Sequence, residues 1–156
     1  MQLITVIMPY YKKIDYVRHA INSVLNQTYQ NYELLIIYDD IDQGDLDKLR
    51  NIINDNKKIK IIKNYKNLGA GYSRNIGIKN SNGTIISFID ADDEWHPKKI
   101  ENQLNFLNKH NYDFIFCAYQ KKIKNKIIKV IYRNDHIGYK NLLFSCDIGL
   151  STVMIK

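Results

Sequence analysis

Short apolar runs alternate with amphipathic segments along most of the chain, which indicates alternating strands and helices. The run from Leu3 to Met8 is almost continuously apolar and rich in β-branched residues, as expected for a strand covered on both faces. The next segment repeats its apolar residues at a helical spacing, with Ile14, Val17 and Ile21 on one face. The pattern therefore predicts a strand followed by a helix.

The same order recurs along the next hundred or so positions. Further strands are predicted at Tyr32–Tyr38, Ile59–Lys63, Thr84–Ile89 and Tyr112–Tyr119. Further helices are predicted at Leu46–Asp55, Gly71–Asn80 and Pro97–His110, with Pro97 in the first helical position. Alternating strands and helices predict an α/β fold whose mostly parallel, doubly wound sheet carries helices on both faces.

The last third of the chain is less regular. Lysines alternate with isoleucines over Lys121–Lys129, which predicts a half-exposed hairpin. A short helix is expected at Tyr139–Phe144 and a final strand at Ser151–Lys156. Because the sequence has no internal repeat and no Pro/Gly-rich linker, we expect residues 1–156 to form a single domain.

The 156 residues carry a net charge of +7, which favours an anionic partner such as a phosphorylated metabolite, an acidic lipid head group or nucleic acid. The tyrosines are too dispersed to form an aromatic and basic face for nucleic acid, so we expect none. No apolar run reaches the roughly 18 residues that cross a bilayer, and we expect a cytoplasmic protein. The lysines of the hairpin favour a solvated strand face over a binding patch.

Polar and aromatic side chains follow the first two predicted strands, where an open α/β sheet binds its ligands. Pro9 is expected to stop the first strand, and Tyr10 and Tyr11 then offer a ring face or a hydroxyl to a ligand, or merely form a turn. Asp39 and Asp40 follow the second strand. Their carboxylates are suited to accept a hydrogen bond from a base or a ribose, or to form an Asx-turn or a helix cap.

After the fourth predicted strand, four carboxylates crowd together at Asp90, Asp92, Asp93 and Glu94. Their mutual repulsion is costly unless a cation or hydrogen-bond donors offset it. Mg²⁺ or Mn²⁺ suits hard oxygen ligands and is usually held by one or two carboxylates together with substrate phosphates. Asp90 and Asp92 point the same way if the backbone is extended. Asp93 and Glu94 lie just before a predicted helix, where acidic side chains are favoured. The predicted ligand is a nucleoside diphosphate.

A glycine-rich segment, "GAGYSRNIG" from Gly69 to Gly77, only partly matches a dinucleotide-binding fingerprint. Arg74 occupies the position of the third glycine, and the segment follows the third strand rather than the first. We therefore do not expect a dehydrogenase. Arg74 is either a cation for a diphosphate or, equally, a surface residue or a salt-bridge partner of one of the aspartates.

In chain order, a strand-end tyrosine ("MPYYKK"), a strand-end aspartate ("IIYDD"), "LGAGYSRNIG" and "FIDADD" resemble the nucleotide-sugar-binding region of family-two glycosyltransferases with the GT-A fold. The resemblance extends from about Ile4 to Glu101. It implies transfer of a sugar, with inversion, from a nucleoside diphosphate sugar to a hydroxyl of a glycan or lipid-linked acceptor. It also implies a divalent Mg or Mn cofactor and work at the inner face of a membrane, with peripheral association.

The resemblance also assigns roles to individual residues. Asp39 is expected to bind the nucleobase, with Tyr11 or the backbone of Pro9 lining the same pocket. The donor-binding residues are then Pro9, Tyr11, Asp39, Arg74 and Asp90, and the metal ligands are Asp92, as the direct contact, and Asp90.

The sequence departs from the family pattern in two places. The loop after the second strand does not continue as DDGS, because Ile41 and Asp42 follow the two aspartates. The acidic motif that supplies a general base is also missing, since Asp135 and Asp147 lack the expected context. We therefore expect an amino-terminal part of a longer enzyme.

Two other classes remain open. A catalytically silent nucleotide-sugar-binding module would share the donor-site motifs. A nucleotidyltransferase is expected to carry a glycine-rich loop after the first strand, and Met8–Tyr16 contains no glycine.

Overall fold

The computed structural model describes residues 2–123, 126–131 and 148–156 of the chain. The strands are β1 (Ile4–Tyr10), β2 (Tyr32–Tyr38), β3 (Ile59–Lys63), β4 (Ile85–Phe88), β5 (Phe114–Ile115), β6 (Tyr119–Ile123), β7 (Lys126–Ile131) and β8 (Met154–Ile155). The α-helices are α1 (Ile14–Leu25), α2 (Leu46–Ile53), α3 (Ala70–Lys79) and α4 (Lys99–His110). Short 3₁₀ turns lie at Gln43–Asp45 and Leu150–Thr152.

The main sheet has six strands in the order β3-β2-β1-β4-β8-β5. The first four of these strands are parallel, and β1 pairs with β2 along its whole length, from Ile4 opposite Tyr32 to Tyr10 opposite Tyr38. The short β8 runs antiparallel to both of its neighbours. The predicted mostly parallel α/β sheet is therefore confirmed.

Alternate residues of the strands pack on opposite faces of the sheet. One face carries the larger core, where α1, α2 and α4 cover the even-numbered residues of β1 and β2. The other face holds a smaller cluster in which Ile76 of α3 packs near Ile7 and Leu35. Gly77 lets α3 approach β1 closely, because a Cβ there would lie 2.4 Å from Cγ2 of Ile7. Helices cover both faces, as the alternating pattern predicted.

The prediction that Pro9 stops the first strand is wrong. β1 runs through Pro9 and ends at Tyr10, and Pro9 lies opposite Ile37 of β2. Tyr10 accepts a hydrogen bond from Asp39 on the β2 side, and Ile7 accepts one from Ile89 on the β4 side. Successive residues of a strand bond to alternate neighbours, so the nitrogen of Pro9 faces the β4 side, where the ladder has already ended. Its missing N–H therefore costs no hydrogen bond of the sheet.

Three predicted boundaries in the second half of the chain are also wrong. Only Phe114–Ile115 of the predicted strand Tyr112–Tyr119 joins the main sheet, because its partner β8 offers only two pairs. The predicted strand Ser151–Lys156 is shortened because its first residues form a 3₁₀ turn. The last helix begins at Lys99 rather than at Pro97. The predicted helix Tyr139–Phe144 lies outside the described residues.

The predicted hairpin is confirmed as a separate antiparallel pair of β6 and β7, with a bulge at Lys121/Lys122. It is more exposed than predicted, since Ile127 and Ile128 are each 55% exposed. Among the helices in the described ranges, none combines the length and the apolar character needed to cross a bilayer.

Candidate functional site

The sequence-predicted site residues gather beyond the carboxyl ends of three neighbouring strands, β2, β1 and β4. An open α/β sheet binds its ligands at this edge, because neighbouring connections leave a crevice there. The residues that lie at this edge are Pro9, one residue before the end of β1, and Tyr11, Asp39, Arg74, Asp90 and Asp92. Side-chain hydrogen bonds and ion pairs connect four of these six to other elements of the fold, as described next.

Two consecutive tyrosines at the end of β1 have different roles. Tyr10 is fully buried, stacks on Tyr38 with ring centroids 5.3 Å apart, and donates a hydrogen bond to Asp45 Oδ2 at 2.8 Å. Burial raises the pKa of the Tyr10 hydroxyl, and the Asp45 carboxylate adds to the rise. Tyr10 is therefore part of the core at the end of β1, which is neither of the two alternatives, ligand contact or turn, that the sequence left open. Tyr11, which is 46% exposed, remains available.

Asp39 is buried at the end of β2 and anchors the loop that leads into α3. Its carboxylate accepts hydrogen bonds from Asn64 Nδ2 at 2.7 Å and from the backbone N–H groups of Leu68 at 2.9 Å and Gly69 at 2.8 Å. Gly69 has a φ of 82°, which a residue with a Cβ rarely adopts. Because a carboxylate has about four acceptor positions, Asp39 keeps room for about one more donor.

The other aspartates of this loop have structural roles. Asp40 Oδ1 accepts a hydrogen bond from the backbone of Asp42, and Asp42 Oδ1 accepts one from Gly44 at the start of the 3₁₀ turn. The buried Tyr38 hydroxyl donates to the carbonyl of Asp42 at 2.8 Å. The Asx-turn and capping alternatives recognised in the sequence therefore account for Asp40 and Asp42.

Arg74 projects from α3 and forms an ion pair with Asp90, with 2.6 Å between Nη2 and Oδ1. The Arg74 side chain is 15% exposed, whereas that of Asp90 is 41% exposed. Within the described residues, the buried Nε of Arg74 has no hydrogen-bond partner. A guanidinium has five N–H donors and the ion pair uses Nη2, so the other Nη donors, rather than the buried Nε, are the ones suited to an anion.

The acidic residues after β4 form a turn, because the N–H of Asp93 donates to the carbonyl of Asp90 at 3.0 Å. The expectation of an extended backbone, with Asp90 and Asp92 pointing the same way, is therefore wrong. Asp92 instead pairs with Lys13 at 2.8 Å, and this hydrogen bond raises the pKa of Lys13. Desolvation raises the pKa of Asp93, and the charges of the two other aspartates add to the rise.

The donor set of this acidic turn, defined as Asp90–Asp93, suits a hard divalent cation. Among the described residues, no group of three or more His, Cys, Asp or Glu side chains is arranged to hold a metal alone. Mg²⁺ and Mn²⁺ need only one or two protein carboxylates when phosphates supply further oxygens. Asp90 and Asp92 are about two-fifths exposed and each uses one oxygen in an ion pair, so both are accessible to a metal bound with a diphosphate.

Sequence reasoning missed three residues that support the site. Asn64 holds Asp39 and also reaches Ser73 Oγ of α3 at 3.1 Å. Ser151 Oγ accepts a hydrogen bond from the backbone N–H of Asp90 at 3.0 Å. Lys13 pairs with Asp92, and only Lys13 had a sequence signal, because it follows the end of β1. The candidate bases Asp135 and Asp147 lie outside the described residues.

The mostly parallel central sheet with helices on both faces is that of the GT-A class of α/β folds. The family model described as glycosyl transferase family 2 matches residues 5–152 of the chain. The chain belongs to glycosyltransferase family 2.

Named relatives agree with this assignment. The chain is 38% identical over 154 residues to a glycosyltransferase of Rickettsia felis, which covers 97% of the chain and 25% of that protein. It is 34% identical over 153 residues to the Escherichia coli UDP-Glc:alpha-D-GlcNAc-diphosphoundecaprenol beta-1,3-glucosyltransferase WfgD, covering 98% of the chain and 60% of WfgD. It is 30% identical to the putative teichuronic acid biosynthesis glycosyltransferase TuaG of Bacillus subtilis, over 98% of the chain and 62% of TuaG. The chain thus spans between a quarter and about three-fifths of these relatives.

Solved structures share the fold. TarS of S. aureus in complex with UDP-GlcNAc superposes with a TM-score of 0.69 at 22% identity, over 81% of this chain and 36% of TarS. The mannosyltransferase PcManGT of Pyrobaculum calidifontis, in complex with GDP-Man and Mn²⁺, has a TM-score of 0.67 at 18% identity, over 73% of this chain and 34% of PcManGT. At these identities the likeness establishes the GT-A fold alone.

Proposed function

We propose that the chain is the donor-binding part of a metal-dependent glycosyltransferase, which transfers a sugar with inversion from a nucleoside diphosphate sugar to an acceptor hydroxyl. The observation that carries the proposal is the Arg74–Asp90 ion pair beside the acidic turn, at the edge of the sheet where α/β folds bind ligands. A guanidinium next to two accessible carboxylates suits a diphosphate that shares a cation with them.

Each sequence-predicted residue has a role in this proposal. Asp39 binds the nucleobase through its remaining acceptor capacity, while Pro9 and Tyr11 line the base pocket. Arg74 contacts the diphosphate, and Asp90 and Asp92 hold the cation, with Asp92 the direct ligand. When bound, Mg²⁺ or Mn²⁺ neutralises the negative charge that develops on the departing diphosphate.

The acceptor is proposed to be a glycan or a lipid-linked glycan. The name of WfgD gives a diphosphoundecaprenol-linked acceptor for that relative, and the name of TuaG gives teichuronic acid biosynthesis. We assign the same broad class, surface polysaccharide synthesis, to the longer protein of which this donor-binding part would be a segment.

Thermal unfolding with UDP, GDP, CDP or dTDP, each with and without Mn²⁺, tests the donor site. A nucleotide at about 100 times its dissociation constant adds about 2.7 kcal/mol of stability, a shift of several degrees for a domain of this size. We expect one nucleotide to raise Tm in the presence of Mn²⁺, and Asp92→Asn to abolish the metal-dependent part. Asp47→Asn, on the exposed side of α2, is the matched control. If none of the four nucleotides shifts the wild type, the donor-site proposal is wrong.

We also propose peripheral association with an anionic membrane at its cytoplasmic face, through the hairpin of β6 and β7, because the exposure of both Ile127 and Ile128 favours a binding patch over the solvated strand face that the sequence favoured. The described side chains of this hairpin combine exposed Ile127 and Ile128 with lysines, as a surface for acidic head groups requires. Sedimentation with phosphatidylglycerol vesicles tests this proposal. Lys121→Gln with Lys129→Gln should weaken binding, whereas Lys109→Gln on α4 should not. Equal binding to neutral phosphatidylcholine vesicles would contradict the proposal.

A further inference from the structure

A buried polar network lies on the inner side of the acidic turn. Lys99 is only 7% exposed, and its Nζ donates to Gln103 Oε1 at 2.7 Å and to Ser87 Oγ at 3.2 Å. The same ammonium lies 3.9 Å from the centroid of the Trp95 ring. Within the described residues, no carboxylate forms an ion pair with Lys99. Burying an amine without a carboxylate partner costs free energy. The contacts that hold Lys99 therefore point to a role other than stability.

The network ends on one short backbone segment, residues 151–153. Three consecutive carbonyls of this segment each accept a hydrogen bond from a side chain of a different part of the fold. The bonds are Trp95 Nε1 to the Ser151 carbonyl (2.8 Å), Gln103 Nε2 to the Thr152 carbonyl (2.8 Å) and Ser87 Oγ to the Val153 carbonyl (2.6 Å). Because Lys99 bonds to both Gln103 and Ser87, it orients two of the three donors. The segment is thereby fixed against β4 and α4.

The side chain of this fixed segment that faces the acidic turn is Ser151. Its Oγ accepts the hydrogen bond from the backbone N–H of Asp90, 61 positions earlier in the chain. Ser151 therefore holds the backbone at the first residue of the acidic turn.

We propose that Ser151 is a positioning residue for the acidic turn, and that the buried Lys99, Gln103 and Trp95 keep Ser151 in place. Ser151 fixes the backbone at Asp90, and with it the start of the turn that carries the two carboxylates, Asp90 and Asp92, proposed to hold a divalent cation bound with a diphosphate. This inference rests on the proposed donor site and extends it to a segment that sequence motifs did not include.

The first test compares Ser151→Ala with Ser151→Thr, which keeps the hydroxyl. Titration calorimetry measures the affinity for the nucleoside diphosphate that stabilises the wild type most, with and without Mn²⁺. We expect Ser151→Ala to weaken Mn²⁺-dependent binding about fivefold, the factor for the loss of one hydrogen bond, with metal-free affinity near that of the wild type and Tm lowered by only a few degrees. Ser151→Thr should restore binding. Ser81→Ala, beyond the far end of α3, is the matched control. Unchanged Mn²⁺-dependent affinity in Ser151→Ala overturns the proposal, as does an equal loss without metal.

A second readout does not depend on any nucleotide. Amide hydrogen exchange at Asp90 should become faster in Ser151→Ala and return to the wild-type rate in Ser151→Thr, because the hydroxyl protects that N–H. If wild-type protein binds no nucleotide, the donor-site proposal fails, and exchange at Asp90 alone decides whether Ser151 holds the turn. An Asp90 amide that exchanges equally in Ser151→Ala and wild type rejects the positioning role.

Discussion

Arg74 Nη2 lies 2.6 Å from Asp90 Oδ1, so a helix after β3 and a turn after β4 are joined by an ion pair at the centre of the candidate site. From the sequence, the guanidinium of Arg74 is expected to bind a diphosphate, and the carboxylate of Asp90 is expected to bind a cation. The pair lets each charge offset the other when neither partner is bound. In the proposed donor site, a diphosphate would take the place of Asp90 beside Arg74 and a cation would take the place of Arg74 beside Asp90, so the two would be expected to bind together.

Replacing Arg74 should separate phosphate recognition from base recognition. We expect Arg74→Met to weaken binding of a nucleoside diphosphate about tenfold or more, because a charge-assisted contact is lost, while the affinity for the nucleoside hardly changes. The free energy of unfolding should change by less than about 1 kcal/mol, since Asp90 stays hydrated. Calorimetry and urea unfolding measure the two effects, with Arg50→Met on α2 as control. Equal losses for nucleoside and diphosphate would argue against a phosphate contact.

Asp39 should contribute to folding as well as to binding. Asp39→Asn replaces one acceptor oxygen with a donor NH₂ group, which opposes the N–H groups of Leu68 and Gly69 or the amide of Asn64. We expect a loss of about 2–3 kcal/mol in the free energy of unfolding, as for a buried polar group left unsatisfied. Chemical denaturation measures it. The exposed Asp47→Asn should cost about 0.5 kcal/mol or less, and equal costs for the two variants would contradict the anchoring role of Asp39.

Two glycines of α3 should respond in opposite ways to a methyl group. Gly77→Ala places a Cβ 2.4 Å from Ile7 and should destabilise the fold by about 1–3 kcal/mol through overpacking. Gly71→Ala meets no atom within 4 Å and should stabilise the helix by up to about 1 kcal/mol. Thermal and urea unfolding of both variants check this. If Gly71→Ala lowers the free energy of unfolding as much as Gly77→Ala does, packing against β1 is not the cause of the loss in Gly77→Ala.

The buried amine of Lys99 should make stability depend on pH. Desolvation lowers its pKa from 10.5 to about 7 in the folded protein. Between these two values the unfolded chain binds more protons than the folded one, so the free energy of unfolding should rise with pH from about 7 to 10.5. This gain in the free energy of unfolding is absent below pH 7, because Lys99 is then protonated in both the folded and the unfolded protein and its buried charge is costly.

Lys99→Met should remove this dependence. We expect the variant to gain stability relative to the wild type at pH 7 and to lose that gain, amounting to a few kcal/mol, as pH approaches 10. Urea unfolding at several pH values measures the difference, in which the tyrosines common to both proteins cancel. Lys109→Met, at the exposed end of α4, should differ from the wild type in the free energy of unfolding by an amount that does not change with pH. A difference that is equally independent of pH for Lys99→Met would mean that folding does not lower the pKa of the Lys99 amine.

Local pattern and motif order determined much of this protein. Runs of β-branched residues and helical stripes specified the strands and helices of the parallel core, because each depends on neighbouring side chains and on burial of one face. The order of Tyr11, Asp39, Arg74 and the acidic residues was sufficient to recognise the family. Each of these signals lies within a few positions of the chain, where periodicity and motif spacing can be read directly.

Tertiary structure alone decided which neighbours those residues have. Pro9 continues its strand only because the β4 ladder has ended beside it, and the short β8 limits how much of the predicted fifth strand can pair. Ser151 reaches Asp90 across 61 positions, and Lys99 of α4 is buried against Ser87 of β4 and the ring of Trp95. Contacts of this kind depend on how distant segments are folded together, and the periodicity of a single segment carries no information about them.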